Sequence, residues 1–223
     1  MDPTFKIFIG FLIGAIPYFC YSQSTRFQVG IEGGPSLSII RSDEFVFPSK
    51  DCVIGLGYTV GVAFQVNLNN KLAVRTNLSF ERKGYQSTSG NFHYRFDYLV
   101  LPILFHINLG KKNRSYFNVG PYFGYLFSTS SKYYHWVDHD DEWMYKKYDL
   151  GISLGLGFNI PLYHQLWLTI ELRDNLGLYN IQYKILRYDH FGNPYGDYGK
   201  SYTNSTVLQF GIVYNFGKIQ NKQ

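Results

Sequence analysis

Long apolar runs are scarce in this chain. The longest, Ile7 to Phe19, falls short of the roughly 20 residues that a membrane-spanning helix needs. Mean hydropathy is −0.17, so a helical membrane bundle is excluded. Beyond that N-terminal run no segment repeats its apolar residues at a helical period of 3.6, which removes α-rich folds as well. Cysteine is nearly absent, with two in 223 residues, Cys20 and Cys52. Charge is also thin, at 17% of residues. The formal balance of +5 and the pI near 9.0 raise the question of nucleic acid, but the Lys and Arg residues are scattered and form no cluster. No nucleic-acid partner is expected.

Aromatic residues fill the space that charge leaves. They make up 19% of the chain, including 21 Tyr and 19 Phe. That composition suits a barrel whose exterior meets lipid and whose rims carry aromatic girdles. At this length the chain fits one domain. Its N-terminus reads as an export signal: Lys6, then the apolar run to Phe19, then Cys20-Tyr21-Ser22 with cleavage expected before Gln23. A lipoprotein site at Cys20 is disfavoured by bulky Phe19 before it. Cleavage removes Cys20, Lys6 and Asp2, leaving Cys52 without an intrachain partner and the charge at +5. The expected division is therefore a signal peptide at 1–22, a barrel at 23–216 and a short periplasmic tail at 217–223.

A period of two runs through the rest. From Gly55 to Leu68, Leu56, Tyr58, Val60, Val62, Phe64, Val66 and Leu68 alternate with small or polar residues. Tyr148 to Ile160 repeats the pattern, with Asp149, Gly151, Ser153, Gly155, Gly157 and Asn159 on the minor face. Alternation of this kind specifies a strand with two unlike faces. A soluble sandwich shows charge on its open face, whereas here the minor face is Gly-rich, which suits a narrow lumen. Further strands are expected at Phe27–Ile39, Leu72 to about Lys83, about Tyr94–Asn108, Tyr116–Ser128, Leu166 to about Tyr179, and Gln209–Phe216. The strand around Tyr98 to Leu104 has blurred alternation, and a bulge is expected near Asp97 or Pro102. Short turns at Asn69-Asn70, Gly110–Arg114 and Pro161–Gln165 alternate with long loops at Arg41–Ile54, Gln86–Asn91, Thr129–Lys147 and Gln182–Thr203. The fold class is all-β: an eight-stranded antiparallel up-and-down transmembrane β-barrel. An even count with short turns on one side places both termini in the periplasm of a bacterial outer membrane.

The last strand, Gln209-Phe210-Gly211-Ile212-Val213-Tyr214-Asn215-Phe216, resembles the C-terminal signal by which outer-membrane barrels engage the bacterial assembly machinery. Gln209, Gly211, Tyr214 and Phe216 carry that resemblance. The tail after Phe216 is a departure from it. Tyr98-Leu99-Val100-Leu101-Pro102, Phe117-Asn118-Val119-Gly120-Pro121-Tyr122, Asp149-Leu150-Gly151-Ile152 and Leu176-Gly177-Leu178-Tyr179-Asn180-Ile181 resemble the PorT-type outer-membrane barrel family. Val100 stands where members often carry an inward acidic residue. The resemblance implies an outer-membrane barrel in contact with lipid. It further implies the assembly machinery as a partner and a secretion-system or surface protein as the binding class.

Candidate functional residues fall into two groups. Glu32, Arg75, Glu81, Glu171 and Arg173 take the inward parity and are expected to form a paired polar core, because an eight-stranded bore is just wide enough to be filled by side chains. Tyr134, Trp136, Trp143 and Tyr145 lie in the long loop after Ser128 and are candidate contacts for a partner or glycan, with aromatics of the membrane rim as the equal alternative. In the same loop His135, Asp138, His139, Asp140, Asp141 and Glu142 have metal-ligand types, but their spacing in a loop does not define a site, and no metal or cofactor is expected. Barrel deacylases place a Ser two residues from a His, and none of the six His here has one. His106 is expected in the lumen or at the periplasmic rim without a nucleophile beside it, so no catalysis is expected. A small porin-like channel is the alternative reading, with a lipid-modifying enzyme behind it.

Overall fold

The computed structural model describes residues 26–42, 52–87, 92–109, 114–133, 136–139, 142–184, 186–188, 194–197 and 200–216. Eleven strands occur among them. Eight are long: β1 (Arg26–Ser42), β2 (Cys52–Asn67), β3 (Leu72–Ser87), β4 (Phe92–Leu109), β5 (Ser115–Tyr133), β7 (Tyr148–Tyr163), β8 (Leu166–Gly177) and β11 (Ser201–Asn215). Three are short: β6 (Trp136–His139), β9 (Leu186–Tyr188) and β10 (Pro194–Asp197). Each long strand pairs antiparallel with its sequence neighbour in the wall, and β1 pairs with β11, which closes the sheet. The result is a closed eight-stranded barrel with no free edge. Among the described residues no helix is long and apolar enough to cross a membrane.

The two faces of the wall reverse the arrangement of a water-soluble protein. Along β7 the outward residues Leu150, Ile152, Leu154, Leu156, Phe158 and Ile160 are all exposed. Inward residues are polar and buried, among them Glu32, Arg75, Lys83, Asp149 and Glu171. Lipid is the solvent that makes this order stable. Apolar side chains lose nothing against acyl chains, while the closed ladders pair the backbone polar groups of neighbouring strands around the whole wall.

The strands run longer than the alternation implies, mostly toward the long loops. β5 continues to Tyr133 and pairs with β6, so much of the expected loop at Thr129–Lys147 is ordered, ending in a 3-10 turn at Glu142–Met144. β11 begins at Ser201 rather than Gln209, and β7 reaches Tyr163. The expected five-residue turn shrinks to His164-Gln165, where His164 takes φ 44°. A tight hairpin turn demands that left-handed conformation, and His tolerates it better than most side chains. At the first short turn Asn69 Oδ1 accepts from the backbone N–H of Lys71 and of Leu72, both at 2.8 Å. The bulge expected near Asp97 lies at the Asp97–Tyr98 step of the β4–β5 ladder. Asp97 pairs with Ser128 and Tyr98 with Leu126, so the extra residue, Phe127, belongs to β5. That shift explains why the two sides of the ladder lose a common alternation there.

Candidate functional site

From the short-turn end upward the bore is packed with polar side chains in three tiers. Nearest the short turns, Arg75 of β3 forms an ion pair with Glu32 of β1 and donates to Gln65 Oε1 at 3.4 Å. Its guanidinium lies over the Tyr116 ring, 5.8 Å from the centroid. Tyr116 in turn stacks on His106 at 4.6 Å. Asn118 directs its amide N–H at Glu171, 3.0 Å away, so its Oδ1 accepts from His106 Nδ1 at 2.8 Å. His106 is fully buried among amides and an aromatic ring, with no hydroxyl or thiol bonded to it. This is a structural environment for a histidine.

The middle tier centres on Glu171 of β8. Its carboxylate accepts from Tyr116 OH at 3.0 Å, from Asn118, and from Arg173 Nε at 2.7 Å. Arg173 reaches across to donate to Asn77 Oδ1 of β3 at 2.8 Å. Glu81 has no such cation: its Oε2 accepts from Asn175 Nδ2 at 3.4 Å, and Asn175 also takes the Ser153 hydroxyl. Beneath the long loops lies the third tier. Lys83 Nζ of β3 stands 3.3 Å from Asp149 Oδ2 of β7 and donates to Thr203 Oγ1 of β11 at 3.1 Å. Tyr122 OH of β5 donates to the same carboxylate oxygen at 3.1 Å, and Thr203 Oγ1 does so at 2.5 Å. Lys83 also lies over the Tyr98 ring of β4 at 4.9 Å. One ion pair thus ties five strands across the bore, which is the geometry that makes a buried pair stable.

Above this tier the bore turns apolar. Phe96, Tyr98, Val100, Tyr122 and Leu126 of the wall pack with Tyr145 and Ile181 from two different loops, and Ile40, Tyr94 and Met144 border them. Tyr145 meets Phe96 edge to face at 4.9 Å. The loops are stitched to each other by backbone bonds. Lys146 N–H donates to Ile181 C=O at 2.6 Å, and Tyr183 N–H to Met144 C=O at 3.0 Å. Asn180 Oδ1 accepts from Gln182 and Ser201, and Lys146 Nζ donates to Asn180 C=O at 2.9 Å. The long-loop end of the bore is therefore capped by an ordered apolar plug.

All five expected lumen residues are inside and buried. The structure joins Glu32 to Arg75 and Glu171 to Arg173, and leaves Glu81 with an amide. Lys83 shares the inward parity of Arg75 and Glu81, and Asp149 lies on the minor face of its strand, but neither is among the five candidates. They lie 66 residues apart, and the pairing across the bore has no local signal. Of the loop candidates, Trp143 is 65% exposed, but Tyr145 is only 6% exposed. Tyr145 is a correction: it is part of the plug and not a contact surface, because its backbone bridges to Gln182 and turns the ring inward. Trp136 lies in β6, paired with Tyr133, and Tyr134 lies outside the described residues. His135, Asp140 and Asp141 lie outside them too. Among the described residues no group of three or more His, Cys, Asp or Glu is arranged to hold a metal. At the C-terminal end Gln209 and Gly211 face inward while Tyr214 and Phe216 face outward, edge to face at 4.7 Å. Phe216 N–H donates to Phe27 C=O at 2.8 Å, which extends the closing seam by one residue.

A wall apolar outside, polar inside and closed on itself is the architecture of an outer-membrane barrel. The family model described as outer membrane protein beta-barrel domain matches residues 21–183. The chain belongs to that family. It is an integral β-barrel of the bacterial outer membrane. No curated protein sequence matches it. Among solved structures the barrel is similar to Ail of Yersinia pestis in complex with the heparin analogue sucrose octasulfate, at 10% identity over 87% of this chain and 100% of that one, with a TM-score of 0.44. It is also similar to OprG from Pseudomonas aeruginosa, at 12% identity over 87% and 98%, TM-score 0.48. The solid-state NMR structure of AlkL in DMPC bilayers is a third, at 10% identity over 91% and 95%, TM-score 0.49.

Proposed function

We propose that this barrel is a non-catalytic outer-membrane platform of the PorT type, whose outside loops bind a secretion-system or surface-protein partner. The filled bore carries the reading. The Glu32–Arg75 and Lys83–Asp149 pairs link separate strands through it, Arg173, paired to Glu171 on its own strand, reaches across to Asn77, and Tyr145 and Ile181 cap it, so traffic through it would require breaking buried contacts. With the bore closed, the surface left for recognition is the loop end, where Trp143 stands exposed. His106, bonded to amides rather than to a nucleophile, supports a role without catalysis. The signal peptide is removed before Gln23, both termini lie in the periplasm, and the assembly machinery reads the seam that ends at Phe216.

Planar-bilayer recording of the purified barrel is the deciding experiment, paired with crosslinking in cells through a photoreactive residue at Trp143. A silent bilayer together with one reproducible crosslinked protein is the expected result. Ion-conducting steps that change in Glu171→Gln would replace this reading with that of a small channel. Lipid turnover lost in His106→Ala would replace it with that of an enzyme.

A further inference from the structure

The outward wall is apolar along β3 and β4 until it meets a charged row at its loop-side edge. Arg82 of β3 sits directly opposite Asp97 of β4, with Tyr58 of β2 on its other side. The guanidinium grips the carboxylate with two bonds, Nε to Oδ1 at 2.7 Å and Nη2 to Oδ2 at 2.8 Å. Its flat face lies over the Tyr58 and Phe80 rings at 5.3 and 5.8 Å. Arg95, one outward position further along β4, brings a second guanidinium to 4.0 Å from the same carboxylate. Two cations thus share one anion, and the row carries a net positive charge. Asp97 is nearly covered, with a side chain 9% exposed, whereas the side chains of Arg82 and Arg95 remain 31% and 45% exposed.

The height of this row is what gives it meaning. Leu72, Val74, Leu78 and Phe80 of β3, and Phe105, Ile103, Leu101 and Leu99 of β4, form the apolar wall beneath it. A strand tilted by about 40° climbs roughly 2.5 Å per residue, so Arg82 stands about 25 Å above Leu72, which is the height of a barrel's lipid-facing band. Acyl chains against Phe80 and Leu99 would put their headgroup at Arg82 and Arg95. A guanidinium is suited to phosphate, because its planar fork offers paired donors.

We propose that Arg82 and Arg95 form a binding site for the phosphate of an outer-leaflet glycolipid, with Asp97 holding Arg82 in place and Tyr58 and Phe80 flanking the acyl chains. The site rests on the orientation proposed above, in which the long loops face outside. The commitment to a glycolipid follows from that side of the membrane, whose lipid is a phosphorylated glycolipid. Arg95 is the cation whose loss leaves the Arg82–Asp97 pair intact.

The test uses the full-length mature barrel in detergent micelles and bis-phosphorylated lipid A as probe, with bound lipid counted by native mass spectrometry. Arg95→Gln should weaken lipid A binding about five-fold, the equivalent of roughly 1 kcal/mol per basic residue beside an anionic headgroup layer. The double variant Arg82→Gln, Asp97→Asn should weaken it too, and replacing both members of the pair avoids a buried lone charge. Removal of the lipid phosphates should reproduce the loss on the unaltered barrel. Arg114→Gln, at the exposed short-turn end, should change nothing. Heat-modified gel migration checks that each variant is folded; should Arg95→Gln fail that check, Arg95→Lys replaces it, with weaker binding expected from loss of the fork. Equal binding by wild type and the Arg95 variants, or an equal loss in Arg114→Gln, would overturn the site. Phosphatidylglycerol binding as tightly as lipid A would overturn the glycolipid assignment. Binding in micelles reads the headgroup chemistry whichever way the barrel is inserted, so sidedness is judged separately by cysteine labelling.

Discussion

Lys83 and Asp149 show what a single buried pair does in this barrel. Neither has another charged group bonded to it, and Thr203, Tyr122 and Lys83 together bond a single oxygen of the carboxylate, Oδ2. Removing the cation leaves that carboxylate charged in a sealed interior, and such a loss typically costs about 3–5 kcal/mol. Lys83→Met is expected to lower unfolding stability in micelles by that order, followed through tryptophan fluorescence in guanidinium. Adding Asp149→Asn should recover a large part of the loss, since a neutral amide can still bond Thr203 and Tyr122. An additive double variant would mean that the two residues do not act as a pair. At this scale the sequence is informative about facing and silent about partners. Parity alone put Glu32, Arg75, Glu81, Glu171 and Arg173 inside, because one residue step flips a side chain between lipid and lumen. Which carboxylate meets which cation depends on strand stagger around the closed wall, and no local pattern encodes that. Glu81 beside Asn175, rather than beside an arginine, is the clearest instance.

Among the elements, the strands were legible and the loops were not. Period-two alternation over a dozen residues cannot be satisfied by another regular structure, so β2 and β7 announce themselves. The segment from Glu142 to Lys147 has no period, and its aromatic residues divide only when Lys146 and Tyr183 bond the neighbouring loop. Trp143 then points out and Tyr145 in. Tyr145→Ala removes a ring packed against Phe96, Leu126 and Ile181, and is expected to cost about 3 kcal/mol through the cavity it leaves. Trp143→Ala should stay within about 0.5 kcal/mol, as exposed substitutions do. Equal costs would mean that the plug is not packed in the membrane. The final strand makes a further contrast. Phe216→Ala should lower the yield of membrane-inserted barrel in cells and raise periplasmic degradation, because it removes the outward aromatic at the closing seam with Phe27. Trimming residues 217–223 should matter little. A trim that hurts more than Phe216→Ala would show that the assembly signal lies elsewhere.

For the molecule as a whole, the asymmetry between the two ends predicts the orientation. His164-Gln165 is a two-residue turn, and Asn69 closes another by accepting from the backbone N–H of Lys71 and of Leu72. At the opposite end two loops fold inward, knit together and seal the bore. Outer-membrane barrels keep short turns in the periplasm and long loops outside, so Trp143 is expected on the cell surface and His164 beneath the membrane. Cysteine labelling on intact cells tests this directly, with Cys52 first replaced by Ser because the expected cleavage before Gln23 would leave it as the single cysteine. Trp143→Cys should react with a membrane-impermeant maleimide on intact cells, since the position is exposed and its replacement is expected to leave the fold unchanged. His164→Cys, also at an exposed position, should react only after the outer membrane is opened, and the left-handed backbone at that turn should cost the variant only about 1 kcal/mol. The reverse pattern would invert the barrel. It would also move the Arg82–Arg95 row to the periplasmic leaflet, where a glycerophospholipid rather than a glycolipid would supply the phosphate.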